Sequence, residues 1–261
     1  MKHLENILLI KETNGIRRIL LNDPKSYNAL SLKTLNSLIK IFNDLNKDTK
    51  CKVIIIEGMG KGFSAGHDLK EIQSLKKQSS YKKLFNQCSK LMLAIVYHKK
   101  PIIAKVHGAA FAAGCQLVAS CDLAYCDKDS IFATPGVNIG LFCSTPMVAL
   151  SRKVNRKQTM QMLLTGDSID AKHAKKIGLI NNYFSSSKLE KEVFKIAKKI
   201  SSKSNLVLNI GKNAYYKQLE MTMKQAYDYT SKVMAENMKK KDAAEGINSF
   251  IEKRSPIWKN K

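Results

Sequence analysis

Apolar and polar residues alternate along the first two thirds of the chain in short patterns that predict strands followed by amphipathic helices. Two strand patterns, residues 5–12 and 16–22, flank an Asn-Gly dipeptide, which is a strong signal for a hairpin turn. Ser31 has the position of an N-cap before apolar residues at helical spacing. Further strand patterns occupy residues 53–56, 102–106, 123–126, 131–133 and 181–184. This alternation of strands and helices predicts an α/β fold.

The pattern changes after residue 189, where the chain is almost entirely helical to its end. Many apolar side chains of this region lack a second layer of the same chain to cover them. They are Leu206, Leu208, Ile210, Tyr215, Tyr216, Met221, Met223, Tyr227, Tyr229, Val233 and Met234. We therefore expect the region from about residue 202 to residue 258 to pack against neighbouring subunits.

The 261-residue chain carries a formal net charge of +24. Three interpretations are open: solvated lysines of a Lys-rich composition, attraction of an anionic ligand into a cleft, and binding of nucleic acid. The positive charge is spread along the chain, without a basic stripe interleaved with aromatic residues and without a helix-turn-helix pattern. The first two interpretations are therefore favoured, and no nucleic-acid partner is expected.

No apolar run reaches the roughly 18–20 residues that a bilayer requires, so no membrane partner is expected. The first ten residues enter a strand pattern and show neither an apolar signal core nor the Arg-rich character of a transit peptide, which predicts a cytoplasmic protein. The six cysteines form no Cys-x-x-Cys pair and are expected to be buried free thiols. The five histidines have no metal-ligand spacing, so no metal is expected.

One segment carries the strongest chemical signal. The strand pattern of residues 102–106 is followed by a glycine- and alanine-rich turn that leads directly into a helix over residues 113–121. Small residues let the backbone approach a ligand, and the first N–H groups of a helix have no partners within it. Such a turn suits an oxygen atom that gains negative charge. The first turn of this helix holds Gln116, which cannot move a proton as a carboxylate does.

Four segments, in this order, resemble the motifs of the crotonase, or enoyl-CoA hydratase/isomerase, family: residues 23–31, 61–69, 100–122 and 164–179. Within the family, residues 112–122 and 132–146 are similar to the branch of enoyl-CoA hydratase domain-containing protein 3. The resemblance implies a crotonase-like spiral of ββα units that binds acyl-CoA in residues 1–200. It also implies a helical C-terminal trimerisation region in residues 201–261, and a homotrimer or hexamer.

The resemblance further implies an acyl-CoA thioester as ligand, with coenzyme A as part of the substrate and no separate cofactor. In the family, two backbone N–H groups bind the thioester oxygen as it becomes an enolate, and motif position assigns them to His67 and Ala113. The imidazole of His67 is expected to face solvent or the nucleotide end of the ligand. Asp68 with Glu71 also resembles a capping box. The motifs place these residues at the substrate: Lys25, Ser26, Phe63, Ser64, Ala65, Asp68, Leu69, Ala109 and Gly136.

The chain departs from the family at its acid–base positions. Gln116 and Gly136 stand where the hydratases have two glutamates, and Ser144 stands at the acidic position of the dienoyl-CoA isomerases. Gln116 and Ser144 are therefore candidate catalytic residues, each with an alternative. Gln116 either orients substrate or satisfies backbone groups at the helix start. Ser144 either contacts the ligand or caps the helix that follows it. Enoyl-CoA hydration at full speed is not expected without the two glutamates.

Three functions remain open on this basis. The first is an enzyme that stabilises an acyl-CoA enolate and catalyses slow hydration, isomerisation or another thioester reaction. The second is a non-catalytic acyl-CoA-binding regulator of lipid metabolism, which the missing carboxylates favour. The third is RNA binding. The coenzyme A motifs favour the first two over the third, and the enzyme is the principal hypothesis.

Overall fold

The computed structural model describes residues 2–4 and 6–261. In this part of the chain, the strands are β1 (Lys2–Leu4), β2 (Ile7–Lys11), β3 (Ile16–Leu21), β4 (Val53–Gly58), β5 (Ile102–Val106), β6 (Ala109–Phe111), β7 (Leu123–Asp127), β8 (Ile131–Ala133), β9 (Ile169–Asp170) and β10 (Asn182–Phe184). They form a seven-stranded sheet of order β1-β2-β3-β4-β5-β7-β10 and a three-stranded sheet of order β6-β8-β9.

The helices confirm the α/β architecture and the helical C-terminal third. They are α1 (Leu32–Lys47), α2 (Leu69–Ser74), α3 (Gln78–Val96), α4 (Ala113–Ser120), α5 (Pro146–Leu150), α6 (Arg156–Thr165), α7 (Ala171–Lys176), α8 (Ser186–Ser201), α9 (Asn205–Gln218), α10 (Met223–Met238) and α11 (Lys241–Ile251). Ser31 caps α1 as predicted, because its hydroxyl accepts from the amide of Thr34 at 3.2 Å.

The large sheet is antiparallel at one edge and parallel elsewhere. β2 pairs in antiparallel fashion with β1 and β3, whereas β3, β4, β5, β7 and β10 pair in parallel. The predicted hairpin between β2 and β3 is confirmed, with Asn14 and Gly15 at φ 58° and 76°. The whole of β4 is buried, as a continuous apolar run predicts for a strand covered on both faces.

Helices cover both faces of the large sheet. On one face, α1, α3 and α4 bury Leu38, Leu91 and Leu117 in the main core together with one set of alternate β4 side chains. On the other face, α8 buries Val193 in a second cluster with Ile55 of β4. Successive residues of a strand point to opposite faces, so a single apolar strand serves both layers.

The small sheet is the main element that the hydrophobic pattern does not predict. β6 pairs in parallel with β8, and Ser64 forms a single parallel bridge to Ala110 of β6. β6 lies within the glycine- and alanine-rich turn and shows no strand pattern of its own, and its pairing depends on residues far apart in the chain. Because β6 ends directly before α4, the small sheet fixes where that helix begins.

A buried ion pair ties α9 to the core. Nζ of Lys212 donates to Oδ2 of Asp122 at 2.7 Å and to the carbonyl oxygens of Ile95 and Lys100, each at 3.1 Å. The hydroxyl of Tyr216 donates to Oδ1 of Asp122 at 3.1 Å. The first helix of the C-terminal region is thus anchored at the point where α3 ends and β5 begins.

The six cysteines are free and buried, as predicted. Burial raises the pKa of the Cys51, Cys88, Cys115 and Cys126 thiols to about 12, so these groups stay protonated at neutral pH. Among the described helices, none combines the length and apolar character that a membrane span requires.

Candidate functional site

The glycine-rich loop after β4 is held against β6 by backbone hydrogen bonds. The amides of Phe63 and Ser64 both donate to the carbonyl of Ala109, at 3.0 and 3.1 Å, and the amide of Phe111 donates to the carbonyl of Ser64 at 2.9 Å. The loop therefore extends the small sheet as an irregular strand. It carries the chain past the N-terminus of α4.

Two glycines let this loop approach the first turn of α4. Gly66 has φ +95°, and a Cβ atom there would lie 2.9 Å from the carbonyl oxygen of Phe111 and 3.1 Å from the amide nitrogen of Ala113. A Cβ atom on Gly114 would lie 2.3 Å from the carbonyl oxygen of Ser64. A side chain at either position would push the two segments apart. The residue after Gly66 is thereby brought next to the start of α4.

The amides of His67 and Ala113 have no acceptor in the part of the chain that the structure describes. Neither amide donates in any hydrogen bond formed among the described residues. Ala112, with φ 47° and ψ −115°, turns the chain sharply, so Ala113 takes the first helical position. The helix N-terminus adds a positive partial charge at this point. Two neighbouring free amides can together donate to one oxygen that carries negative charge.

Asn28 holds the loop in place, and it is not among the site residues that the sequence singles out. Its Nδ2 donates to the carbonyls of Met59 and Gly62, both at 2.9 Å, and its Oδ1 accepts from the amide of Asp23 at 2.9 Å. Its own carbonyl accepts from Oγ of Ser64 at 2.9 Å. Asn28 has φ 55°, which asparagine tolerates better than most residues. The presence of an asparagine inside the first family motif is the signal that could have indicated this structural role.

The imidazole of His67 does not face solvent, so that alternative is wrong, while contact with the nucleotide end of the ligand stays a prediction. Its Nδ1 lies 3.1 Å from the carbonyl oxygen of Leu30, and its ring meets Phe85 edge-on with centroids 5.5 Å apart. A carbonyl oxygen can only accept, so Nδ1 carries the hydrogen. Nε2 is buried and has no hydrogen-bond partner among the described residues. Burial lowers the pKa of His67, against smaller opposing effects of the Leu30 carbonyl and the Glu71 charge, so the ring is neutral at pH 7.

Gln116 is 3% exposed, and its side chain reaches α3 rather than the backbone at the start of its own helix. Sγ of Cys88 donates to Oε1 of Gln116 at 3.7 Å. The alternative in which Gln116 satisfies backbone groups at the helix start is therefore wrong. Phe85 and Cys88 are three residues apart on one face of α3. The ring of His67 and the amide of Gln116 thus contact adjacent positions of the same helix.

Gly136 and Ser144 are the residues that the sequence predicts at the other two acid–base positions of the family. A Cβ atom on Gly136 would lie 2.3 Å from the carbonyl oxygen of Leu141 and 2.9 Å from Sγ of Cys143, so the following turn fills the space of a side chain. Ser144 is exposed, and its hydroxyl donates to the carbonyl of Phe142 at 3.4 Å. No side chain caps α5, so the prediction that Ser144 caps this helix is wrong.

The remaining residues that the motifs place at the substrate range from the surface to the core. Lys25, Ala65 and Leu69 are exposed, and Ser26 is half-buried. Phe63 lies in the main core with no exposed surface, and Ser64 is 1% exposed. The side chains of the last two residues therefore offer almost no surface to a ligand.

Asp68 is the N-cap of α2. Its Oδ1 accepts from the amides of Lys70 and Glu71, at 2.9 and 3.2 Å. The predicted capping box does not form, because the Glu71 carboxylate instead accepts from the amide of Leu32 at 2.9 Å. This contact ties the starts of α1 and α2 together beside the glycine-rich loop. Among the described residues, no group of three or more His, Cys, Asp or Glu side chains could hold a metal ion.

Comparison with known proteins shows the family of this chain. The family model "Enoyl-CoA hydratase/isomerase" matches residues 11–261. The Mus musculus protein named "Enoyl-CoA hydratase domain-containing protein 3, mitochondrial" is 48% identical over 248 residues, which span 95% of this chain and 83% of the mouse protein. The chain therefore belongs to the enoyl-CoA hydratase/isomerase family, and the resemblance to the branch of domain-containing protein 3 is confirmed.

Two solved structures match nearly the whole chain. The enoyl-CoA hydratase of Mycobacterium smegmatis gives a TM-score of 0.96 at 42% identity and covers 98% of this chain and 99% of its own. The human enoyl-CoA hydratase domain-containing protein 3 gives a TM-score of 0.94 at 45% identity. The match covers 97% of this chain and 100% of the human chain. These matches confirm the crotonase-like fold.

The prediction of a cytoplasmic location is wrong. The mouse relative and the proteins of the same name from rat, human, Xenopus laevis and Danio rerio are all named mitochondrial. These names point to mitochondria instead. A strand pattern in the first residues reports on the fold of that segment and carries no information about the compartment.

Proposed function

We propose that this protein binds an acyl-CoA thioester and stabilises the enolate of its acyl group at the amides of His67 and Ala113. The observation that carries the proposal is this pair of free amides, brought together by Gly66 and Gly114. A thioester oxygen between them would accept two hydrogen bonds, which strengthen as negative charge develops. Membership of the family supports coenzyme A as the acyl carrier, and no separate cofactor is required.

The coenzyme end of the ligand is assigned to the rim formed by the turn of residues 24–26 and the glycine-rich loop. The two segments touch, since the amide of Ala65 donates to the carbonyl of Tyr27 at 2.9 Å and a Cβ atom on Gly60 would meet Pro24 at 2.5 Å. Lys25 is exposed on this rim. Its charge suits the phosphates of coenzyme A, so acyl-CoA affinity should fall as ionic strength rises.

The reaction that best fits the site passes through an enolate and does not require two catalytic carboxylates. With Gln116 and Gly136 at the glutamate positions, neither residue can accept a proton from water. Hydration is therefore slow, and proton exchange or isomerisation next to the thioester is favoured. The same absence supports the second candidate, a non-catalytic acyl-CoA-binding regulator.

Replacing Ala113 with proline tests the proposal directly. Proline is tolerated at the first position of a helix, but it removes the N–H group and fills the donor's position. Ala171→Pro is the matched control, because Ala171 is the first residue of α7 and lies outside the site. Circular dichroism checks that both variants fold. Calorimetry with butyryl-CoA measures binding, and mass spectrometry of an acyl-CoA panel measures turnover.

We expect wild-type protein and Ala171→Pro to bind butyryl-CoA equally well. In folded Ala113→Pro, turnover of any accepted thioester should fall by about 10²–10³-fold, since loss of one such donor costs about 3–4 kcal/mol in the transition state. A non-catalytic binder would show weaker affinity in Ala113→Pro and no turnover in any variant. No binding of any acyl-CoA to wild-type protein at millimolar concentration would contradict the proposed function.

A further inference from the structure

His67 contains a buried nitrogen atom that has no hydrogen-bond partner among residues 2–4 and 6–261. Buried side-chain nitrogen atoms in folded proteins are nearly always hydrogen-bonded, so an exception calls for an explanation. The bond from Nδ1 to the carbonyl of Leu30 fixes the tautomer, and Nε2 therefore presents a free lone pair. Such a nitrogen can accept a proton without first losing one.

This nitrogen belongs to a residue that also contributes one of the two free amides. Because the backbone N–H of His67 is that amide, its imidazole is attached directly to the proposed oxyanion site. The ring packs against Phe85, and one turn further along α3 Cys88 contacts Gln116. The imidazole thus lies on the same side of α3 as Gln116, which occupies one of the family's proton-transfer positions.

We propose that Nε2 of His67 is the base that exchanges protons with the α-carbon of the bound acyl group. This inference rests on the proposed function, because it requires a thioester oxygen at the amides of His67 and Ala113. The bond between the α-carbon and its hydrogen breaks, and the proton forms a bond to Nε2. The electron pair moves into the enolate, whose oxygen the two amides hold. Return of a proton from Nε2 to the α-carbon regenerates the thioester.

The surroundings of the ring suit this role. The groups that face it are the Leu30 carbonyl, the Phe85 ring and, from α2, the Glu71 carboxylate; the nearby Cys88 thiol is protonated. The Glu71 charge favours the imidazolium that forms after proton transfer, while burial keeps the resting ring neutral. Phe85 is half-buried, and the proposed step requires its side chain to rotate so that Nε2 becomes accessible to the acyl group and to solvent.

Deuterium incorporation into butyryl-CoA in heavy water, followed by mass spectrometry, measures the proposed step. His67→Asn keeps the backbone amide and a short polar group that can reach the Leu30 carbonyl, but it lacks Nε2. His67→Gln places a non-basic amide near the position of Nε2. His173→Asn is the control, because His173 lies on α7 and its Nε2 pairs with Gln158 at 2.9 Å.

We expect wild-type protein and His173→Asn to exchange the α-hydrogens at equal rates. In both His67 variants, the exchange rate should fall by about 10²-fold or more. The affinity for butyryl-CoA should change only a few-fold. The wild-type rate should rise with pH and level off below pH 6.5, the ordinary pKa of histidine, because only the neutral ring accepts a proton and burial lowers its pKa. Both His67 variants should lose this pH profile, which a purely structural role of the ring would not predict.

Calorimetry with butyryl-CoA in parallel separates the two ideas. Absence of binding to wild-type protein would overturn the proposed function and the inference with it. Binding without α-hydrogen exchange in the wild-type protein would overturn the base and leave acyl-CoA binding intact. Exchange at the wild-type rate in folded His67→Asn and His67→Gln would also show that Nε2 is not the base.

Discussion

Single residues determine which proton transfers this site allows. At position 116, the glutamine side chain already lies beside α3, and a carboxylate of nearly the same shape fits the same space. At position 136, the carbonyl of Leu141 and the thiol of Cys143 occupy the volume that a side chain needs. The two departures that the sequence predicts are therefore not equivalent, since only the first can be reversed without moving the backbone.

Hydration of crotonyl-CoA tests this difference. Wild-type protein should hydrate crotonyl-CoA far more slowly than the roughly 10 s⁻¹ of an ordinary enzyme, because both glutamates are absent. Gln116→Glu should raise the rate by about 10-fold or more, since a positioned general base contributes about 10²–10⁴-fold and only one of two is restored. Gly136→Glu should give no increase and should lower stability. Loss of the enoyl absorbance measures the rate.

Gln87→Glu is the control, because Gln87 lies on α3 and bonds to Asn36 at the surface. Wild-type hydration at the speed of a good hydratase would show that another group acts as the base for water. A gain in Gly136→Glu equal to that in Gln116→Glu would show that the turn before α5 opens readily.

The directions of single side chains were the least predictable part of the site. Motif position predicts which backbone amides belong to the site. It does not predict the direction of the His67 ring, which the hydrogen bond to the Leu30 carbonyl determines. Asn28 likewise works through Met59 and Gly62, more than thirty residues away in sequence. Such contacts depend on how distant segments pack, and a local pattern of residues does not contain that information.

Among the elements, those with long apolar patterns were predictable, and those made by pairing alone were not. β5 has the bounds that the sequence predicts, because burial on the sheet sets its composition. β6 and the two-residue β9 exist only through pairing with β8. The helix predicted to follow Ser144 has little more than one turn in the structure, where α5 spans Pro146–Leu150. Turns continue the segment, with the amide of Val154 donating to the carbonyl of Leu150 at 2.8 Å.

The attachment of α9 to the core gives a prediction at this scale. Lys212 and Asp122 are 7% and 17% exposed as side chains, and burial lowers the pKa of Lys212 while Asp122 opposes that effect. Asp122→Ala removes the partner of a buried charge and frees the hydroxyl of Tyr216. We expect a loss of about 3–5 kcal/mol in the free energy of unfolding, measured by urea denaturation.

Glu220→Ala is the control for that measurement. Its partner Arg152 lies 3.6 Å away, and the two side chains are 63% and 57% exposed. A surface pair of this kind contributes about 0–1 kcal/mol. Equal losses in Asp122→Ala and Glu220→Ala would mean that the buried pair does not anchor α9.

The whole molecule leaves large apolar side chains of its C-terminal helices uncovered. Tyr227 and Met234 of α10 are 70% and 61% exposed, and Phe250 of α11 is 85% exposed. Exposed apolar surface that is continuous over several turns is typical of protein interfaces. The core helices α1, α3 and α8, in contrast, bury their apolar faces within one chain. This contrast supports a subunit interface in the helical C-terminal region.

Assembly state is therefore the prediction that belongs to the molecule as a whole. Light scattering at micromolar concentration should show a trimer or a hexamer. Tyr227 and Met234 are seven residues apart and share one face of α10, so the double variant Tyr227→Glu, Met234→Glu should shift the protein towards monomers by placing two charges in an apolar interface. Lys232→Glu is the control, because at 100° per residue Lys232 lies on the opposite face of α10. A wild-type protein that remains a monomer would contradict the interface, and a double variant that assembles like wild-type protein would exclude this face of α10 from it.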